Sequence, residues 1–145
     1  MTMRSSLTAT LLGAAFVAMA PTDAHAQTAV ASFRADYTWE LPYPDPANPI
    51  VVGPHRVRFT LYDNGTFVND DGNGGEYDRN GNDITLWFFS RAEATAPYPP
   101  FGAATWEGTI NGGTVCNGDA RSPGLDPNTG YPITIFGEWN TRGCP

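Results

Sequence analysis

The sequence has 145 residues, and its 15 acidic residues outnumber eight basic ones, all Arg, which gives a net charge of −7 at pH 7. A surface this negative repels nucleic acid and anionic lipid, so we expect neither as a partner. The length fits a single domain that is large enough to bury a hydrophobic core.

Residues 1–26 have the pattern of a secretory signal peptide. Arg4 provides the positive start, residues 7–20 are almost entirely apolar, and Ala24-His25-Ala26 matches an Ala-x-Ala cleavage site. The apolar run is too short and wrongly flanked for a membrane-spanning helix. We therefore predict an exported single domain over residues 27–145 with no membrane attachment after cleavage. The sequence leaves periplasm and external medium equally open.

Two cysteines, Cys116 and Cys144, lie in the predicted mature chain. An even number of cysteines in an exported chain predicts a disulfide between them. It would close a loop of about 29 residues and stabilise the fold by about 3.5 kcal/mol in the chain-entropy account. The spacing is not that of a Cys-x-x-Cys redox pair, and the mature chain has a single histidine, His55, to add to a metal site.

Strand signals fill the mature chain. Short runs of aromatic and β-branched residues alternate with polar ones, and Asn64-Gly65, Asn73-Gly74 and Asn80-Gly81 favour tight hairpin turns between them. The predicted strands are 33–41, 55–62, 66–69, 76–78, 83–89, 103–110, 114–117 and 131–142.

The connections between these strands differ in length in a regular way. Every second connection is long or glycine-rich, namely 42–54, 70–74, 90–102 and 118–130. In an up-and-down meander alternate connections lie at the same end, so all elaborated loops are expected together. We predict an all-β antiparallel meander of about eight strands that closes into a barrel, because closure removes exposed edges. An open two-sheet sandwich is the alternative.

A secreted eight-stranded meander with one open end resembles the calycin group, the lipocalins and avidins. Tyr37-Thr38-Trp39 is similar to the lipocalin Gly-x-Trp without its glycine, and Arg142 takes the place of the arginine that covers that tryptophan. Thr105-Trp106-Glu107-Gly108 is similar to an avidin Thr-Trp-x-Gly strand, although the avidin biotin contacts are not evident. The resemblance implies a small barrel and names no ligand.

Aromatic residues at the loop-rich end indicate a binding site. Eight-stranded barrels either fill with side chains or hold one small ligand. The inward side chains are bulky, but Gly108 and Gly137 leave space, so both outcomes stay open. We expect a secreted binding protein for a small apolar or aromatic ligand, with contacts from Trp39, Tyr43, Tyr98, Phe101, Trp106 and Trp139.

A second hypothesis uses the outside of the barrel. Trp87 and Phe89 share the outward face of strand 83–89, and exposed aromatic residues often mark protein interfaces. This favours a protein-interaction or inhibitor module with a filled core. Cover by a neighbouring loop is the other explanation of this face. In either case we expect a monomer.

The acidic stretch 69–83 has the oxygen-rich composition that suits calcium. An EF-hand register starting at Asn69 fails, because Asn80 stands where a bidentate glutamate is required. Hairpin turns need the same residue types. We predict no metal and no cofactor. We also predict no enzymatic activity, since catalytic motifs are absent from the sequence and Glu107 and Glu138 are expected to face outward.

Overall fold

A computed structural model describes residues 26–89, 91 and 103–144, and these residues form antiparallel strands joined by turns and loops. The strands are β1 Ala29–Leu41, β2 Ile50–Tyr62, β3 Thr66–Asn69, β4 Gly74–Asn80, β5 Asp83–Phe88, β6 Thr105–Asn111, β7 Thr114–Val115, β8 Gly118–Leu125 and β9 Pro132–Thr141. The predicted signal peptide, apart from Ala26, lies outside the described residues. Within the described ranges there is no helix whose length and hydropathy would let it cross a bilayer.

Hydrogen-bonded pairing runs around a closed ring of eight strands. The order is β1-β2-β3-β4-β5-β6-β8-β9, and β9 pairs back to β1. Each ring strand is therefore antiparallel to its neighbour along the chain, and the predicted all-β meander is confirmed. β7 is a two-residue arm that pairs with β6 beside the ring.

The ring connections sort into two ends, as the sequence predicts. At the closed end the connections are the short segments 63–65 and 81–82 together with 112–117. At the open end they are 42–49, 70–73, 89–104 and 126–131. β1 begins and β9 ends at the closed end, so neither of these two strand termini lies at the open end with the long loops.

The predicted loop 118–130 is wrong over its first part, because Gly118–Leu125 forms β8. Its inward residues are small, which hides the hydrophobic alternation that marks other strands. They are small because the ring of Trp139 occupies the space: a Cβ on Gly118 would lie 2.5 Å from the indole Nε1. Pro123 is tolerated since β6 pairs with β8 only as far as Arg121, which leaves one edge open there.

The predicted strand 114–117 is also wrong as a ring strand, because only Thr114–Val115 pairs and β8 takes its place. Cys116 lies between β7 and β8, and Cys144 follows β9. The predicted disulfide between them is confirmed, with Cα atoms 5.6 Å apart. It ties the closed end together and is typical of a protein from an oxidising, exported environment.

The predicted loop 42–54 is shorter than expected, since β2 already begins at Ile50. Tyr37 pairs with His55 and Trp39 with Val52, so the segment containing Pro54 is accommodated as a bulge opposite Thr38. Prolines are compatible with strands at bulges and open edges. The other edge of this segment is open because β2 pairs with β3 only from residue 59 to 61.

The interior of the ring is filled by aromatic side chains. Phe59 and Trp106 lie 5.3 Å apart between ring centroids, and Trp106 and Trp139 lie 5.5 Å apart. The space beside Gly108 is occupied by the side chains of Val115 and Trp139, and the space beside Gly137 by the Thr38 carbonyl oxygen and the ring of Trp39. The fully enclosed core is Ala35, Val57, Phe59, Leu61, Phe67, Ile84, Leu86, Trp106, Val115, Ala120 and Trp139.

Candidate ligand-binding site at the open end

The wall of the barrel is uneven at its open end. β1 and β2 stay paired up to Leu41 and Ile50, whereas the pairing of β2 with β3 stops at Phe59 and Asn69. β2 therefore continues over residues 50–58 beyond the end of β3, by about 30 Å at 3.3 Å per residue. The short β3–β4 hairpin leaves a low side in the wall, through which inward residues of β1 reach solvent.

A pocket of about 230 Å³ lies at this low side; we call it the mouth pocket. Its walls are mainly aromatic and its rim, the turn after β3, is polar. The lining residues are Tyr37, Trp39, Val57, Asn69, Asp71, Asn73, Phe88, Phe89, Ala104 and Trp106.

Trp106 organises the aromatic walls of the mouth pocket. Its ring centroid lies 5.1 Å from that of Tyr37 and 6.5 Å from that of Trp39, and Phe88 is 5.5 Å away. Trp106 is only 2% exposed, and its Nε1 has no hydrogen-bond partner within the described residues. A buried donor without a partner is uncommon, and an oxygen of a ligand or of water would satisfy it.

Two side chains at the turn after β3 accept hydrogen bonds from backbone N–H groups, one in the turn itself and one in β2. Asn69 Oδ1 accepts a hydrogen bond from Asn73 N at 2.8 Å, and Asp70 Oδ1 accepts one from Arg58 N at 2.8 Å. Asp71 differs, because its exposed carboxylate takes part in none of the hydrogen bonds or ion pairs of the described residues. Of the lining residues that the structure describes, it alone carries a formal charge.

Burial, and after it the negative charge of Asp71, hold the pKa of the Tyr37 phenol above its ordinary value of 10.0. The neutral phenol is thus favoured in the fold, so its contribution to stability is complete below pH 10 and is lost as pH rises through the folded-state pKa. In an alkaline absorbance titration, we expect Tyr37→Phe to remove one phenol that ionises above the ordinary tyrosine pKa. We expect Asp71→Asn to lower the pKa of the Tyr37 phenol part of the way towards its ordinary value. If the phenol that is missing from the Tyr37→Phe titration has an ordinary pKa, the prediction is contradicted.

The predicted ligand contacts are distributed over several places. Trp39 and Trp106 come together in the mouth pocket. Tyr43 is half-buried in segment 42–49 and does not line the pocket. Trp139 is fully buried below it, with its Nε1 donating to the carbonyl oxygens of Glu107 at 3.0 Å and Asp119 at 3.2 Å. Tyr98 and Phe101 lie outside the described residues, so their role stays a prediction.

No family model matches the sequence. Searches of curated proteins and of solved structures also give no significant match. The calycin resemblance therefore stays a prediction that rests on topology and on the motif residues.

The strand register bears on one part of that resemblance. The backbone N of Arg142 donates to the carbonyl oxygen of Arg34 at 3.0 Å, at the closed end. Trp39 lies five residues further along β1, about 17 Å away at strand spacing. Arg142 therefore does not cover Trp39 as the lipocalin pairing implies.

Sequence reasoning missed several residues of the mouth pocket. Strand alternation predicts that Tyr37 and Phe88 point into the barrel, but it does not reveal where the wall is low. Phe89 was predicted to face outward, but its φ of 68° breaks the alternation and turns it to the pocket rim. Asp71 stood out only as part of an acidic stretch, which gave no indication of a neighbouring aromatic wall.

Trp87 and Phe89, the predicted interface residues, do not share a face. Trp87 lies on the outside of β5 but is 8% exposed, and the guanidinium of Arg91 lies 4.5 Å from its ring centroid. Phe89 is 56% exposed and lines the mouth pocket. Arg91 therefore covers part of the Trp87 ring, and of these two aromatic residues it is Phe89, at the open end, that is exposed.

The outer surface carries a row of carboxylates. Glu107 pairs across the strands with Asp119, and Asp119 pairs with Glu138. Arg121 offsets part of this charge through an ion pair with Glu107 at 2.9 Å. Within the described ranges, no group of three or more His, Cys, Asp or Glu side chains is arranged to hold a metal ion, and this includes the acidic stretch 69–83.

Proposed function

We propose that the protein is an exported binding protein that holds one small apolar or aromatic ligand in the mouth pocket. The observation that carries the proposal is the cluster of aromatic rings from Tyr37, Trp39 and Trp106 in a pocket that opens to solvent. Aromatic walls with a few polar groups are typical of small-molecule sites.

The filled interior limits where the ligand sits and how large it is. Since Trp39 and Trp139 occupy the space over the inward glycines, a ligand binds at the rim and does not enter the barrel axis. The pocket of about 230 Å³ lies below the range of about 300–1,000 Å³ that holds drug-sized molecules. A ligand of one or two rings fits this volume.

Export is the second part of the proposal. The signal-peptide pattern of residues 1–26 and the disulfide between Cys116 and Cys144 both support it. The destination is the periplasm or the external medium. The mouth pocket is lined by a single chain, so a monomer is sufficient for binding.

Native mass spectrometry of the mature protein from its host's exported fraction tests this function. We expect a small molecule bound at one equivalent, and Trp39→Leu weakens its binding about tenfold, because an aromatic wall is lost. Phe136→Ala is the matched control, since Phe136 is 56% exposed on the outside of β9. Equal binding by both variants, or no ligand from the exported fraction or an aromatic panel, would contradict the proposal.

A further inference from the structure

We infer that the ligand of the mouth pocket is a cation: an alkylammonium group carried on an apolar or aromatic body, bound among the aromatic faces and opposite Asp71. This inference rests on the proposed function and specifies its ligand class. A fatty acid or other apolar anion is the class that the pocket excludes.

The aromatic faces are the first part of the argument. In the described part of the chain, five rings line the pocket, from two tryptophans, two phenylalanines and one tyrosine. The rings are tilted against each other, by 57° between Tyr37 and Trp106 and 68° between Trp39 and Trp106, so they enclose a space from several sides. An ammonium group within about 6 Å of such faces is attracted by the negative ring quadrupoles.

Charge is the second part. Among the described residues that line the pocket, Asp71 is the one with a formal charge, and none of them is Arg. Asp71 lines the same pocket as Tyr37, Trp39 and Trp106, so its negative charge lies beside the aromatic wall. Its charge is also, after burial, a cause of the raised pKa of the Tyr37 phenol. In the described part of the chain it has no ion-pair partner, since the two ion pairs there join Asp36 to Arg56 and Glu107 to Arg121.

The choice between ligand classes follows from these two features together. Aromatic walls by themselves accept any apolar body of suitable size. A carboxylate at their edge penalises an anion, because like charges would face each other in a partly desolvated site. It favours a cation, and it adds to the attraction that the ring faces already supply.

A pair of probes with the same shape and different charge tests the inference. Phenyltrimethylammonium carries its three methyl groups on a positively charged nitrogen, whereas tert-butylbenzene carries them on a neutral carbon. Titrated against the full mature protein by tryptophan fluorescence, the cation is expected to bind about tenfold more tightly. The preference is expected to shrink at high salt, because the ions screen Asp71.

Asp71→Asn and Asp119→Asn form the matched pair of variants. Both remove one negative charge, but Asp119 lies on the outside of β8. We expect Asp71→Asn to lower the affinity for the cation about fivefold and to leave tert-butylbenzene unchanged, while Asp119→Asn changes neither. Melting curves check that both variants fold.

The outcomes separate this inference from the function on which it rests. Equal binding of the two probes overturns the cation preference and leaves a neutral apolar site. Equal loss of cation binding in both variants overturns the role of Asp71. If neither probe binds the wild-type protein in the mouth pocket, the proposed function fails with it.

Discussion

Replacing Trp139 with alanine is expected to lower the free energy of unfolding by about 4 kcal/mol, measured by urea denaturation at neutral pH. Trp139 is fully buried and its ring stacks near Phe33 and Trp106, with centroids 6.2 Å and 5.5 Å away. Its removal leaves a cavity that the surrounding side chains fill only in part. Small domains have about 5–15 kcal/mol of stability, so the loss is a large part of the total.

Two further variants of β9 test the cause of this effect. Trp139→Phe keeps a ring but removes the donor to the carbonyl oxygens of Glu107 and Asp119, so a loss of about 2 kcal/mol is expected. Phe136→Ala removes an exposed ring from the same strand and is expected to cost under about 0.5 kcal/mol. Equal effects of Trp139→Ala and Phe136→Ala would contradict the packing argument. If Trp139→Phe alters ligand binding, Trp139 takes part in the binding site as the sequence predicts.

Removing the disulfide by Cys116→Ala together with Cys144→Ala is expected to lower the free energy of unfolding by about 3.5 kcal/mol. The two residues are 28 positions apart, and their bond restricts the unfolded chain over β8 and β9. Denaturation by urea with and without a reductant measures the effect.

The reductant provides an internal control for this prediction. It should destabilise the wild-type protein as much as the double substitution does, and it should not affect the double variant. If the reductant lowers the stability of both proteins equally, its action does not go through this bond. If the double variant is as stable as the wild type, the restricted-chain account does not hold for this fold.

The meander could be predicted because its signals are local. Asn64-Gly65 and Asn80-Gly81 are found in turns at the closed end, and Gly65 and Gly81 have φ of 79° and 62°. Strand alternation also placed Phe59 and Trp106 correctly in the interior. The grouping of long connections at one end follows because alternate connections of an up-and-down meander lie at the same end, and the long connections alternate with the short ones along the chain.

The errors come from long-range packing that no local pattern records. β8 is a strand whose inward residues are small because Trp139 lies over Gly118, and that contact joins positions 21 residues apart. The mouth pocket depends on where β3 stops relative to β2, which is a property of register. The sequence therefore predicts Trp39 and Trp106 as ligand contacts, and both line the mouth pocket. It does not predict Tyr37, Phe89 or Asp71 as contacts, although they line the same pocket.

Closure of the ring has a consequence for how the chain folds. β1 pairs with β9, and the pair Ala35–Thr141 joins the two ends of the domain. The ring cannot be completed before almost the whole chain is available, and contacts this distant in sequence slow folding. Until β9 arrives, β1 and β8 each expose an edge that can pair with another molecule. A chain that is truncated before β9 is therefore expected to aggregate through these two strands.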